Sequence, residues 1–214
     1  MAKAIKKSIE LSEPLLVRTL GLTRVRPNTA ALDNIFAISG SLNETEKALL
    51  QQVRLDLLDN ADSWNEEELK MQFISIIMLL ARFQMPIRNY YDREISETIG
   101  TTYIKCKADL LLARGMGDLI ETPYFFLHEY KREKRYSGDP IGQMLAGMLI
   151  SQAKNNNDKP AYGCYVQGRF WFFSALVGNE YVVSQSFDAS DEIVAERIVL
   201  ILRRLKHIIL TELI

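Results

Sequence analysis

Cysteine and histidine are scarce, with two of each in 214 residues. Cys106 and Cys164 stand far apart, show no Cys-x-x-Cys spacing and have no histidine nearby, so the pattern supports neither a zinc site nor a disulfide framework. Both read as small buried hydrophobes. Long apolar runs are also lacking: Phe73–Ala81, broken by Ser75, falls well short of the roughly 18 residues of a membrane span. At the N-terminus three lysines precede Glu10 and Glu13, and the apolar piece Pro14–Val17 stops at Arg18. That is not the pattern of a signal peptide, and a cytoplasmic location is expected. No Gly-rich phosphate loop is present, because Gly115-Met116-Gly117 lacks the rest of any nucleotide fingerprint, and no nucleophilic serine motif occurs. A large excess of either charge is missing too. A formal charge of −1 and a pI near 6.2 give no general attraction to polyanions, so a nucleic-acid site must be a local patch. What is present, 48% hydrophobic and 25% charged residues with only 11 Gly and 6 Pro, excludes fibrous and disordered classes.

The first forty residues carry a weak helical pattern around Ala4–Leu11 and are then broken by Pro14, Pro27 and Gly40. With the helix that follows they read as a helical N-terminal extension over 1–62. Asn43-Glu44-Thr45-Glu46 places a side-chain acceptor three residues ahead of a Glu, a helix-start arrangement, and Leu49, Leu50, Val53, Leu57 and Leu58 form its apolar face. Ser63 is expected to cap a second helix whose stripe, Leu69, Phe73, Ile76, Ile77 and Leu80, runs to about Phe83 before Pro86. After Pro86 the period becomes two. Tyr90–Glu97, Thr101–Ala113 and Tyr124–Lys131 read as three strands of a meander. A helix over about Pro140–Lys154, strands over Ala161–Gln167, Arg169–Val177 and Glu180–Phe187, and a last helix over Asp191–Leu210 capped by Ser190 complete the order. Residues 63–214 are expected to form one compact α/β or α+β unit, a central mixed sheet flanked by helices.

Chemistry concentrates where Ala108-Asp109-Leu110 meets Phe125–Lys131. Strand side chains alternate, so Glu129 and Lys131 share a face, and the register of the neighbouring strand can bring Asp109 beside them. Two acids and a lysine on an apolar sheet face are costly unless partnered. A hard divalent cation such as Mg²⁺ supplies a partner, with Asp109, Glu129 and the backbone carbonyl of Tyr130 as oxygen ligands. Lys131 would then orient a nucleophilic water or stabilise a pentavalent phosphate.

These strings, Ala108-Asp109 and Glu129-Tyr130-Lys131, resemble the PD-(D/E)xK nuclease superfamily, and the order helix, three-strand meander, helix, strand from about Trp64 to Val177 is similar to its core. The resemblance implies a restriction-endonuclease-like fold and Mg²⁺- or Mn²⁺-dependent hydrolysis of nucleic-acid phosphodiesters, DNA more than RNA. It also implies a further acid near the start of the first core helix. Glu66 fits by its spacing to Leu69, Phe73 and Ile77, with Glu67 as the substitute, and Gln143 matches a supporting glutamine on the helix after the third strand. Two positions depart from the pattern: Ala108 replaces the proline, and Gly147 stands where one branch has tyrosine. Arg132, Lys134 and Arg135 offer phosphate contacts at the rim, or else a solvated loop. A chain of this size implies a homodimer or a partner in a restriction or mobile-element system. Two other readings stay open: a structural ion-pair network, and an inactive nuclease fold that only binds nucleic acid or protein. By alternation His128 faces away from Glu129, and the aromatic run Phe170–Phe173 reads as core.

Overall fold

The computed structural model describes residues 8–27, 29–131 and 138–213, and for residues 125–129 the backbone alone. The strands are β1 (Thr23–Arg24), β2 (Arg88–Ile99), β3 (Thr102–Met116), β4 (Leu119–Lys131), β5 (Ala161–Gln167), β6 (Phe170–Val177), β7 (Glu180–Val183) and β8 (Phe187–Asp188). They form one mixed sheet in the order β1-β7-β6-β5-β4-β3-β2, with β8 beside β6. The meander β2-β3-β4 is antiparallel throughout, as its alternating pattern implies. The chain then crosses over through α6 (Pro140–Asn155), which lays β5 parallel to β4. Two hairpins follow, turning at Gly168 (φ 58°) and Gly178 (φ 60°), a backbone region that favours glycine.

Helices cover both faces of the sheet. On one side α2 (Ala30–Phe36), α3 (Glu44–Asn60), α4 (Glu66–Leu69), α5 (Ser75–Ala81) and α7 (Glu192–Ile208) bury Leu57, Phe73, Ile77, Ile198 and Leu202 against Leu110, Trp171 and Phe173. On the other, α1 (Glu13–Leu20) and α6 bury Leu16, Leu145 and Met148 against Leu111 and Tyr165. Burial of this kind is the main favourable contribution to folding. Cys106 and Cys164 are both buried, as small hydrophobes would be. None of the described helices is long and apolar enough to cross a membrane.

The N-terminal region differs in detail from its pattern. Residues 4–7 of the helix expected at Ala4–Leu11 lie outside the described residues, and Ser8–Ser12 are not helical. The Ile9 amide donates to the Tyr103 carbonyl at 3.1 Å instead. Helix α1 starts at Glu13 because Pro14 suits a first turn, where its missing N–H costs nothing. Residues 1–62 also add a strand to the sheet, β1 pairing parallel with β7, and they share the core through Leu16, Leu32, Ile35 and Leu50. The Asp139 carboxylate joins the two parts. One oxygen accepts from the Gly142 amide at 3.0 Å, capping α6, and the other accepts from the Glu13 amide at 2.7 Å.

Two helix caps shift as well. Asn65, not Ser63, caps α4: its side chain accepts from the Glu67 and Glu68 amides while Glu68 returns to the Asn65 amide. The Ser63 hydroxyl donates to the Asn60 carbonyl at 2.9 Å. Asp191, not Ser190, caps α7 by accepting from Val194, because Ser190 donates to Asp188. Helix α5 ends at Ala81, short of Phe83, where Arg82 turns left-handed (φ 59°).

Candidate functional site

The side-chain alternation of the meander breaks beside Asp109. In β3, Ile104, Cys106 and Ala108 face the α1/α6 side, and so do Leu111 and Ala113, while Leu110 and Leu112 belong to the opposite core. The alternation therefore slips by one residue at Asp109-Leu110. Strand β2 slips with it: Tyr90 and Ile95 face the same core although their spacing is odd. The register Tyr91↔Leu110 and Arg93↔Ala108 keeps Asp92 across from Asp109 at the slip. Asp92 has φ 53°, a left-handed conformation that costs about 1–3 kcal/mol in a non-glycine residue and collects at functional positions.

A second irregularity meets the first. Between α4 and α5 the helix passes through a π turn at Lys70–Ile74, an insertion common at functional sites. Lys70 opens this turn and reaches down to the slip. Its Nζ lies 2.8 Å from Asp109 Oδ1, 3.2 Å from Glu67 Oε1 and 3.9 Å from Asp92 Oδ1. The Lys70 and Asp109 side chains are each only 15% exposed. Burial acts to lower the Lys70 pKa, but the hydrogen bonds and charges of Asp109 and Glu67 outweigh it and hold the ammonium above the usual lysine range.

On the other side of Asp109 lies β4. The β3–β4 register pairs Leu110 with His128, and one step further along it Asp109 faces the backbone of Glu129. The Tyr130 amide donates to Asp109 Oδ2 at 2.8 Å, so both carboxylate oxygens are oriented. The Tyr130 ring is fully buried in the α3/α5/α7 core and fixes this end of β4. Lys131 is buried, 7% exposed, and its Nζ stands 3.8 Å from Glu66 Oε1 at the start of α4. The Gly168 amide donates to the Lys131 carbonyl, holding the strand end against the β5–β6 turn.

The structure thus brings Asp109, Lys131 and Glu66 to one end of the meander, with Glu67 tied to Lys70. Glu129 is placed by its backbone; its side chain, like that of His128, lies outside the described residues, as do Arg132, Lys134 and Arg135 entirely. Gln143 sits on α6, beneath the other face of the sheet. Its Oε1 is buried without a hydrogen-bond partner among the described residues, about 3.5 Å from where a Cβ on Gly138 would lie. Glu68, occupied in the α4 cap, takes no part.

The donor chemistry suits a hard divalent cation. Asp109 and Glu66 present carboxylate oxygens at the open end of the sheet, and their charge is balanced here by the ammonium groups of Lys70 and Lys131. Among the described residues no three acidic, histidine or cysteine side chains converge closely enough to hold an ion without Glu129. Lys70 and Asp92 are absent from the sequence reading. Their only signals are local breaks in period, a π turn and a strand slip, that composition does not reveal. No protein-family model matches the chain, and no curated protein matches it.

Proposed function

We propose that this chain is a divalent-metal-dependent nuclease of PD-(D/E)xK type, with a restriction-endonuclease-like core, that hydrolyses phosphodiester bonds of nucleic acid, DNA in preference to RNA. One observation carries the reading: Asp109 and the Glu129-Tyr130-Lys131 strand end lie on adjacent strands in matched register, with the Tyr130 amide on Asp109 and a buried Lys131 beside Glu66. Asp109, Glu129, Glu66 and the Tyr130 carbonyl would hold Mg²⁺ or Mn²⁺. When bound, such an ion lowers the pKa of water and neutralises charge on phosphate. The protein groups do the remaining work. The Tyr130 amide fixes one Asp109 oxygen, and the Lys131 ammonium donates to the attacking water or to the phosphate as charge develops. Glu66 holds Lys131 in place and serves as an acceptor for a water proton. Cytoplasmic action as a homodimer, or beside a partner of a restriction or mobile-element system, belongs to the same reading. The test is cleavage of labelled DNA and RNA with Mg²⁺ or Mn²⁺ by the wild type, Asp109→Asn and Lys131→Met. Turnover retained in either variant overturns the mechanism.

A second reading is favoured by the engagement of both Asp109 oxygens, one by Lys70 and one by Tyr130. In it the fold is catalytically inactive and binds nucleic acid or a protein. DNA binding without cleavage, insensitive to divalent metal, distinguishes it.

A further inference from the structure

A cavity of about 530 Å³ lies away from the Asp109 site, between the β1–α2 loop, α2, the β7–β8 link and the first turns of α7. Its volume is that of small-molecule sites, about 300–1,000 Å³. The walls combine aromatic and cationic groups: Phe36, Phe187, Arg26 and Arg197, with Gln185 and Ser186 at the link. Phe36 and Phe187 have ring centroids 5.4 Å apart and pack on buried Phe173, so the aromatic wall is continuous with the core. The link is fixed: the Ser184 hydroxyl accepts from the Phe173 amide and donates to the Gln185 carbonyl.

The charges are the informative part. The Arg197 guanidinium lies 5.3 Å from the Phe187 ring centroid, and among the described residues neither Arg26 nor Arg197 has a carboxylate partner. Three of the acids near them in the chain are engaged elsewhere. Glu196 accepts from the Leu42 amide, Asp188 holds Ser190 and pairs with Arg169, and Asp191 caps α7. Two guanidinium groups without a carboxylate partner among the described residues favour a multiply charged anion, phosphate above a single carboxylate, since each planar fork can donate to two of its oxygens. A guanidinium stacked on one of two neighbouring phenyl rings favours a flat aromatic group next to that phosphate. The exposed Ser186 and Gln185 side chains can hydrogen-bond the edges of a base or sugar.

We infer that this cavity binds a nucleoside phosphate, with the phosphate on Arg26 and Arg197 and the base against Phe36 and Phe187. The ligand is either a free nucleotide or a nucleotide within a strand. The inference does not rest on the nuclease reading, and Arg18→Met, at an exposed arginine of α1 outside the cavity, serves as the control. Calorimetric titration of the full chain with dAMP, a short single-stranded oligonucleotide and inorganic phosphate tests it, using the wild type, Arg26→Met, Arg197→Met and Ser186→Trp. All three substitutions are at exposed positions, and melting temperatures confirm folding. The expected result is binding of dAMP, or of the oligonucleotide alone if the source is a strand. It weakens at least about tenfold in each arginine variant and in the cavity-filling Ser186→Trp, and persists in Arg18→Met. Three results overturn the inference: no binding of either nucleotide probe by wild type, binding indifferent to all three cavity variants, or inorganic phosphate binding as tightly as the nucleotides.

Discussion

The Lys70 ammonium, 2.8 Å from the Asp109 carboxylate, occupies the position that a cation on this acid would take. Lys70→Met leaves Asp109, Glu67 and Asp92 without their shared counter-charge, and is expected to cost about 1–3 kcal/mol, since the pair is largely buried. It also removes a competitor. On the nuclease reading, Mn²⁺ binds the variant roughly tenfold more tightly than wild type, measured by calorimetry without nucleic acid. Unchanged or weaker Mn²⁺ binding would show that Lys70 supports the site instead of filling it.

Lys131 is buried beside Glu66, so replacing it tests chemistry more than surface charge. Lys131→Met is expected to lower turnover by about 10²–10³-fold, the usual effect of deleting a group that meets developing charge. DNA affinity, followed by fluorescence anisotropy with Ca²⁺ in place of Mg²⁺, should change far less. Equal losses of affinity and rate would assign Lys131 to binding.

Glu46 sits at the opposite end of the helical layer, where it pairs with Arg203 and, at 2.6 Å, with Arg82. The hydrogen bond with the Asn43 backbone lowers its pKa most, burial opposes this, and the Arg203 hydrogen bond and charge lower it further. A depressed folded-state pKa means that this stabilisation is complete above the ordinary glutamate value and is lost as pH falls through the depressed one. Glu46→Gln should therefore reduce stability at pH 7, by about 1–2 kcal/mol for a charged hydrogen-bond network whose arginines are partly exposed, and show a shallower decline between pH 5 and 3. Urea midpoints across that range decide it; a parallel decline in both proteins would locate the acid sensitivity elsewhere.

Gly142 has no room for a side chain. A Cβ there would lie 2.5 Å from the Leu11 carbonyl oxygen and 2.7 Å from the Glu13 nitrogen, both backbone atoms that cannot rotate aside. Gly142→Ala should destabilise by about 1–3 kcal/mol, the range for overpacking. Gly163→Ala, whose Cβ would meet the flexible Met148 and Met144 side chains, should cost less. Chemical denaturation compares the two, and a neutral Gly142→Ala would mean that residues 11–13 yield easily.

The layered mixed sheet was legible because its signals are periodic. The meander, the crossover helix and the hairpins follow from alternation, Pro140 and the turn glycines, whereas the register that sets Asp109 across from Glu129 does not, since alternation fixes faces and breaks at Asp109 itself. What escaped was aperiodic. Lys70 stands at the opening of a π turn, and Asp92 stands across from Asp109 where the side-chain alternation of both strands breaks. In the caps, Ser63 and Ser190 competed with better-placed Asn65 and Asp191, whose side chains reach the first free amides. Strand β1, two residues long, carries too few side chains for any period to show.

The carboxylate of Asp139 ties the first turn of α6 to Glu13, whose own carboxylate takes the Tyr181 hydroxyl and the Arg24 guanidinium at the sheet's far edge. These links form one polar thread from the outermost strands to the crossover that leaves Lys131. Detaching the Glu13 segment would therefore also take away one of the two amides that hold the Asp139 carboxylate at the start of α6, so the edge of the sheet and the cap of the crossover helix are lost together.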